Sequence, residues 1–169
     1  PDLANRTAAV AVTGQGDGTW LVGKNNRPVA DGWLWLDARS SKTATRLRET
    51  EPRARFESTG TALNRCQMGG RRAHMDATTP ELLEEAEVAL HCKDWLYLNL
   101  TGIRATDPSE ANFTFGNYRT RTYSDEVIAS LGLGHRRGLL PEIVDGVGQT
   151  HGLTAQAAGQ TGLLEGTPV

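Results

Sequence analysis

The stretch VAVTGQGDGTWLVG, Val10 to Gly23, alternates Gly14, Gly16 and Gly18 with Gln15 and Asp17, between two apolar runs that each read as a β-strand. Spacing alone leaves two readings open: a tight turn in a hairpin, or a backbone kept bare so that a small ligand can lie against it. A dinucleotide fingerprint requires a helix directly after the glycines, so that its N-terminus meets the pyrophosphate, and TWLV continues as strand instead. A calcium loop requires a series of oxygen ligands and a closing Glu, whereas Asp17 stands nearly alone. What remains is a carboxylate whose two oxygens accept hydrogen bonds from adjacent hydroxyls, flanked by residues that do not block access.

Outward from this loop, the chain reads as α/β. Ala8–Thr13 and TWLV predict a strand, a turn and a strand; GKNNRP makes the next turn; WLWLD, Trp33 to Asp37, predicts a third strand. From Ser41 an Arg-rich segment with Ala44 and Leu47 predicts a partly exposed helix. Thr79 before Pro80 and Glu81, and Ser124 before Asp125 and Glu126, are N-terminal cap signals. Lys93 to Gly102 ends in a glycine suited to a helix C-cap, and Val127, Ile128 and Leu131 share one helical face. A last helix is expected from Thr154 to about Thr161. No repeat, linker or low-complexity segment divides the chain, which predicts one domain or part of one. Ala8–Thr13 looks like an interior strand with almost nothing before it, and GLLEGTPV like the approach to a further strand, so the chain reads as a piece of a longer protein.

The 169 residues are 38% hydrophobic with a formal charge of −2, enough for a buried core. Eighteen Lys and Arg against twenty Asp and Glu, with no run of like charge, argue against a nucleic acid or an anionic membrane as partner. No apolar stretch nears the roughly 20 residues of a membrane span and no leader is visible, so the expected location is cytoplasmic. Cys66 and Cys92 fit neither a zinc nor a disulfide pattern and are expected to be small buried groups. Carboxylates do not cluster at ligand spacing either, so no metal site is expected. His74, His91, His135 and His151 show no ligand spacing and no neighbouring nucleophile, which gives them no catalytic role here. The sequons at Asn5, Asn99 and Asn112 lack a secretion signal. Trp33 and Trp35 suit a core, but an indole face also makes a wall for the carbon side of a sugar or polyol. Asp37 and Arg39, two apart, read as a surface pair worth under about 1 kcal/mol unless a ligand uses them.

Taken in order and spacing, VTGQGDGTWLV, WLWLDAR, KDWLYLNLTG, TDPSEANFTFGNYRTRTYSDEVIASLGL, LLPEIV and LTAQAAGQTGLLEGTPV resemble the N-terminal half of the FGGY family of carbohydrate kinases. The resemblance covers nearly the whole chain, and the GQGDGTW loop is most like that of kinases of four-carbon polyols, with pentulose kinases next. It implies a ribonuclease H-like, actin-type α/β fold with a mixed sheet flanked by helices. Residues 1–169 would be most of the substrate-binding domain, without its first strands and without the nucleotide-binding C-terminal domain. The implied activity is ATP-dependent phosphorylation of a hydroxyl of a small sugar or polyol, such as erythritol, glycerol or a pentulose. Gln15, Gly16 and Asp17 fall on the substrate loop; Trp35 falls on a tryptophan lining the substrate pocket; Asp37 and Arg39 complete a W-x-D-x-R pattern; Asn64 and Gln67 are plausible polar contributors. The family's first signature is departed from, since CQMGGRRAHM offers Cys66, Arg71 and His74 where a Lys and a Trp are usual. The D-x-G-T phosphate loop would precede Pro1 and the catalytic aspartate would follow Val169. Thus no catalytic residue is expected in this chain, ATP and Mg²⁺ would be held by the rest of the protein, and this piece alone would be inactive. A homodimer is possible on the same resemblance. The alternative is a noncatalytic actin-like domain that binds a small ligand and signals by domain closure.

Overall fold

The computed structural model describes residues 2–50 and 52–169. After a short helix α1 (Leu3–Arg6), the chain runs extended to the glycine loop and enters β1 (Trp20–Val22). Helices α2 (Ser41–Glu49), α3 (Pro52–Thr59), α4 (Met68–Thr78) and α5 (Pro80–Glu85) follow, then β2 (Val88–Leu90), α6 (Cys92–Thr101) and β3 (Ala105–Thr106). The last third holds α7 (Pro108–Phe115), β4 (Gly116–Asn117), β5 (Thr122–Tyr123), α8 (Asp125–Ser130), a 3₁₀ segment at Gly134–Leu139, β6 (Glu142–Ile143) and α9 (Ala155–Thr161).

Among the described residues the strands form three two-stranded sheets: β1 with β2 and β4 with β5 are antiparallel, and β3 with β6 is parallel. This corrects the expected hairpin, because TWLV pairs with Val88–Leu90 and not with Ala8–Thr13. The cause is burial on both faces: Leu21 enters the main core and Val22 a second cluster with Val88, Leu90 and Leu98. No residue of Ala8–Thr13 is fully buried, so that run could not close either face. It stays extended, joined to the end of the chain where Val10 N–H donates to the Pro168 carbonyl at 2.8 Å. WLWLD is corrected too. Trp33 exchanges two backbone hydrogen bonds with Thr19 (2.8 and 2.9 Å), after which Asp37 N–H folds back on the Leu34 carbonyl. Of its apolar residues only Trp33 packs in the core, and Leu34, Trp35 and Leu36 are exposed, so no sheet extends from it.

The helix expectations hold with one exception. Ala44 and Leu47 are the buried residues of α2; Ser124 caps α8 by accepting from Val127 N–H; Thr154 caps α9; Gly102 and Gly162 end α6 and α9 in the left-handed region. Thr79 precedes α5, but its hydroxyl donates to the Met75 carbonyl instead of capping. Helix α4 crosses the main core with Met68 and Met75 buried beside Phe115, Ile128, Leu131 and Leu133. The fully buried Arg72 lies with its guanidinium 5.2 Å from the Phe115 ring and donates to the Arg136 carbonyl at 2.7 Å. Cys66 and Cys92 are free and only half-buried, not the fully buried groups expected. Among the described residues no helix is long and apolar enough to cross a membrane.

Candidate functional site

The glycine loop enters the site by backbone shape. Asp17 has φ 58° and Gly18 φ 82°, both left-handed, a conformation that aspartate tolerates because its short side chain bonds locally. At Gly18 a Cβ would strike the Trp20 ring. Gln15 and Gly16 are exposed, whereas the Asp17 side chain is half-buried and its Oδ1 is enclosed without a hydrogen-bond partner among the described residues. Burial raises the Asp17 pKa above the usual carboxylate range; the neighbouring Cys66 thiol opposes this, and the Glu110 charge adds to it. Burial, followed by the Asp17 charge, pushes the Cys66 thiol up.

Beneath Asp17 lies Arg71 of α4, with 0% exposure. One terminal nitrogen donates to the Cys66 carbonyl, while Nε and Nη2 have no partner. Burial lowers the Arg71 pKa, opposed by attraction to Asp17, to Cys66 and to Asp37. Asp37 therefore also lies within electrostatic reach of Arg71. It is held by Arg39 in a bidentate pair (2.5–3.0 Å) that depresses its pKa, and the Arg39 guanidinium stacks 3.7 Å from the Trp33 ring centroid. Trp35, 46% exposed, lies two residues before Asp37. Asn64 and Gln67 are separated from this group in role. Asn64 is exposed, and Gln67 is buried with its Oε1 accepting from Asn64 N–H (2.9 Å) and its Nε2 donating to the Phe113 carbonyl (3.2 Å), so its amide is committed to the fold.

The other wall comes from α6 and α7. Asp17 N–H donates to Glu110 Oε2 at 3.4 Å, and a Cβ on Gly16 would lie 2.9 Å from Glu110 Oε1, so the Glu110 carboxylate fills the space that a side chain at residue 16 would need. Glu110 Oε2 is 3.4 Å from His91 Nε2; His91 Nδ1 is 2.9 Å from Asp94 Oδ2; Lys93 Nζ bridges Asp94 (2.8 Å) and Asp107 (2.5 Å). Asp107 caps α7 by accepting from the N–H groups of Ser109 and Glu110, which closes a ring of side chains behind the loop. Burial pushes the Asp94 pKa upward, but the hydrogen bond and charge of His91, with Lys93, bring it below its ordinary value. Asp107 is likewise depressed, mainly by Lys93 against burial, and Lys93 is raised by the two carboxylates despite burial.

The sequence thus pointed to Asp17 and missed most of its surroundings: Arg71, Cys66, His91 and Glu110. Two signals were there to be used. His91 and Asp94 form a capping box on α6, and Asp107-Pro108 with Glu110 is an N-terminal helix signature. Neither reveals that Glu110 reaches a loop 93 residues away. A cavity of about 310 Å³ opens behind the ring between Ala9–Val12, Tyr97, Val144 and Pro168. Lys93, Asp94 and Asp107 of the ring line it beside these mainly apolar walls.

The glycine loop thus carries a half-buried carboxylate, with the Glu110 carboxylate and the partly unpartnered Arg71 guanidinium near it. The profile of the FGGY family of carbohydrate kinases, N-terminal domain, matches residues 3–169. The chain belongs to this family. It is 69% identical over its whole length to an erythritol kinase of Brucella abortus, of which it covers 33%. Among solved structures it resembles a xyloylose kinase from Brucella ovis (TM-score 0.81, 25% identity, 99% of this chain and 35% of that one). It also resembles a xylulose kinase from Rhodospirillum rubrum (TM-score 0.85, 21% identity, 96% and 34%), a likeness of fold. The FGGY fold is the ribonuclease H-like, actin-type one. The chain spans about a third of the length of the relatives it matches.

Proposed function

We propose that residues 1–169 form the acceptor-binding part of the N-terminal domain of an ATP-dependent kinase whose substrate is a small polyol, erythritol first. The observation that carries this is the half-buried, left-handed Asp17 in a glycine loop, within a chain so similar to an erythritol kinase along its whole length. Gln15, Gly16, Asp17, Trp35, Asp37 and Arg39 are the residues on the acceptor side, and the remaining two-thirds of the protein would supply the nucleotide-binding domain. A kinase that consumes ATP on a metabolite of this kind operates where ATP is, in the cytoplasm.

Within the ring, Asp94 and Asp107 are already engaged by His91 and Lys93, which leaves these two carboxylates little capacity for Mg²⁺. This chain's contribution is therefore to bind and orient the acceptor, which is the main part of what protein does in phosphoryl transfer. An ionised Asp17 accepts from acceptor hydroxyls, and the glycine backbone lets the carbon chain approach. Assaying ADP release by the full-length protein with erythritol, glycerol, xylulose and ribulose tests the proposal. The expected outcome is the highest kcat/KM for erythritol, and ATP turnover dependent on none of the four would refute it in favour of a noncatalytic ligand-binding domain.

A further inference from the structure

We infer that Glu110 is a second acceptor-binding carboxylate, which contacts a hydroxyl adjacent to the one held by Asp17 and makes the site selective for neighbouring hydroxyls on a carbon chain. The inference rests on the acceptor-site reading of the Asp17 loop.

Glu110 is placed for this by its two oxygens having different duties. Oε2 receives the Asp17 N–H and faces His91 Nε2, whereas Oε1 lies under Gly16, on the exposed part of the loop. The side chain is 17% exposed, so the carboxylate is mostly shielded from solvent. His91 is the positioning residue: Asp94 fixes one ring nitrogen, the other meets Glu110, and the Asp107 cap sets the helix turn that carries Glu110.

Holding a second carboxylate beside Asp17 is unfavourable in the empty site, since the two repel. A purely structural role for residue 110 would be served by a neutral side chain that accepts the Asp17 N–H. A second and independent observation points to a ligand. Arg71 is fully buried and faces Asp17 with Nε and Nη2 unpartnered, while Asp17 Oδ1 is an unpartnered acceptor. Orphaned donors and acceptors in one place are satisfied together by groups that both donate and accept. Hydroxyls have that property. Two neighbouring carboxylates with a guanidinium close enough to act on one of them fit vicinal hydroxyls, each donating a hydrogen bond to one carboxylate.

The test uses the full-length enzyme and two acceptors, erythritol and 1,2,4-butanetriol, which lacks one inner hydroxyl. The wild type is expected to favour erythritol at least tenfold in kcat/KM. In Glu110→Gln that preference should shrink at least fivefold, with the KM for ATP within twofold of wild type. A substitution that merely loosened the fold would lower both acceptors equally, so an unchanged preference in Glu110→Gln overturns the inference. Asp17→Asn, run in parallel, separates the two levels: insensitivity of Asp17→Asn sinks the acceptor-site reading, whereas a sensitive Asp17 with an indifferent Glu110 sinks this inference alone.

Discussion

Asp17→Asn removes one charge and leaves the shape of the loop, since Asn also tolerates the left-handed φ of 58° that alanine would strain. If Asp17 accepts from acceptor hydroxyls, each charge-assisted hydrogen bond lost is worth about 1.5–3 kcal/mol, or about 10- to 150-fold in rate at 1.36 kcal/mol per decade. The loss should fall on kcat/KM for the polyol and leave the KM for ATP unchanged. Stability should move the other way. Burial raises the folded-state pKa of Asp17, so the folded protein holds this proton more tightly than the unfolded chain does. The group's contribution to stability is therefore greatest below the ordinary carboxylate value and declines as pH rises toward the raised folded value. Above that window the ionised group penalises the fold in full. An amide cannot ionise, so at neutral pH the variant should melt at the same temperature as wild type or higher. Acceptor kinetics measured beside thermal denaturation decide the matter. A lowered melting temperature with intact acceptor kcat/KM would make Asp17 a turn residue bonding its own backbone, and the reasoning would fail.

Gly16→Ala should raise the acceptor KM several-fold with little change in melting temperature, because the new Cβ would stand 2.9 Å from Glu110 Oε1 and displace that carboxylate; steady-state kinetics show it. Asp94 and Asp107 have depressed folded pKa values, so the stability they supply is present above the ordinary carboxylate value and lost as pH falls through the folded ones; Asp107→Asn, which keeps a capping oxygen, should flatten that acid limb in melts taken across pH. Gly69→Ala should destabilise the protein by about 1–3 kcal/mol through overpacking, since its Cβ would meet Thr114 Cγ2 and Leu131 Cδ1 where α4 crosses α7, and denaturant titration measures that loss.

What the sequence could disclose depended on the range of the forces involved. Caps and C-terminal glycines act within one turn, so Ser124 and Gly102 were legible from their neighbours. Strand pairing was not, because alternation shows that a run wants a partner and not which one. Leu21 and Val22 are buried in different clusters and pair with Ala89 and Val88, 68 and 66 positions away, and nothing local in TWLV distinguishes Val88–Leu90 from Ala8–Thr13. WLWLD misled for a related reason: its apolar residues satisfy the pattern for a strand, yet three of them face solvent.

The site divides along the same line. A carboxylate among glycines is conspicuous, since side chains are absent where most proteins have them, and that made Asp17 visible. The residues that give Asp17 its chemistry are individually ordinary: an Arg in a helix, a His before a capped helix, a Glu in a first turn. Their significance arises only when α4, α6 and α7 meet around the loop, where burial leaves Arg71 without enough partners and sets Glu110 against Gly16. The missing side chain at residue 16 and the carboxylate at residue 110 then meet in one place, since the Glu110 carboxylate occupies the space that a Cβ at residue 16 would enter.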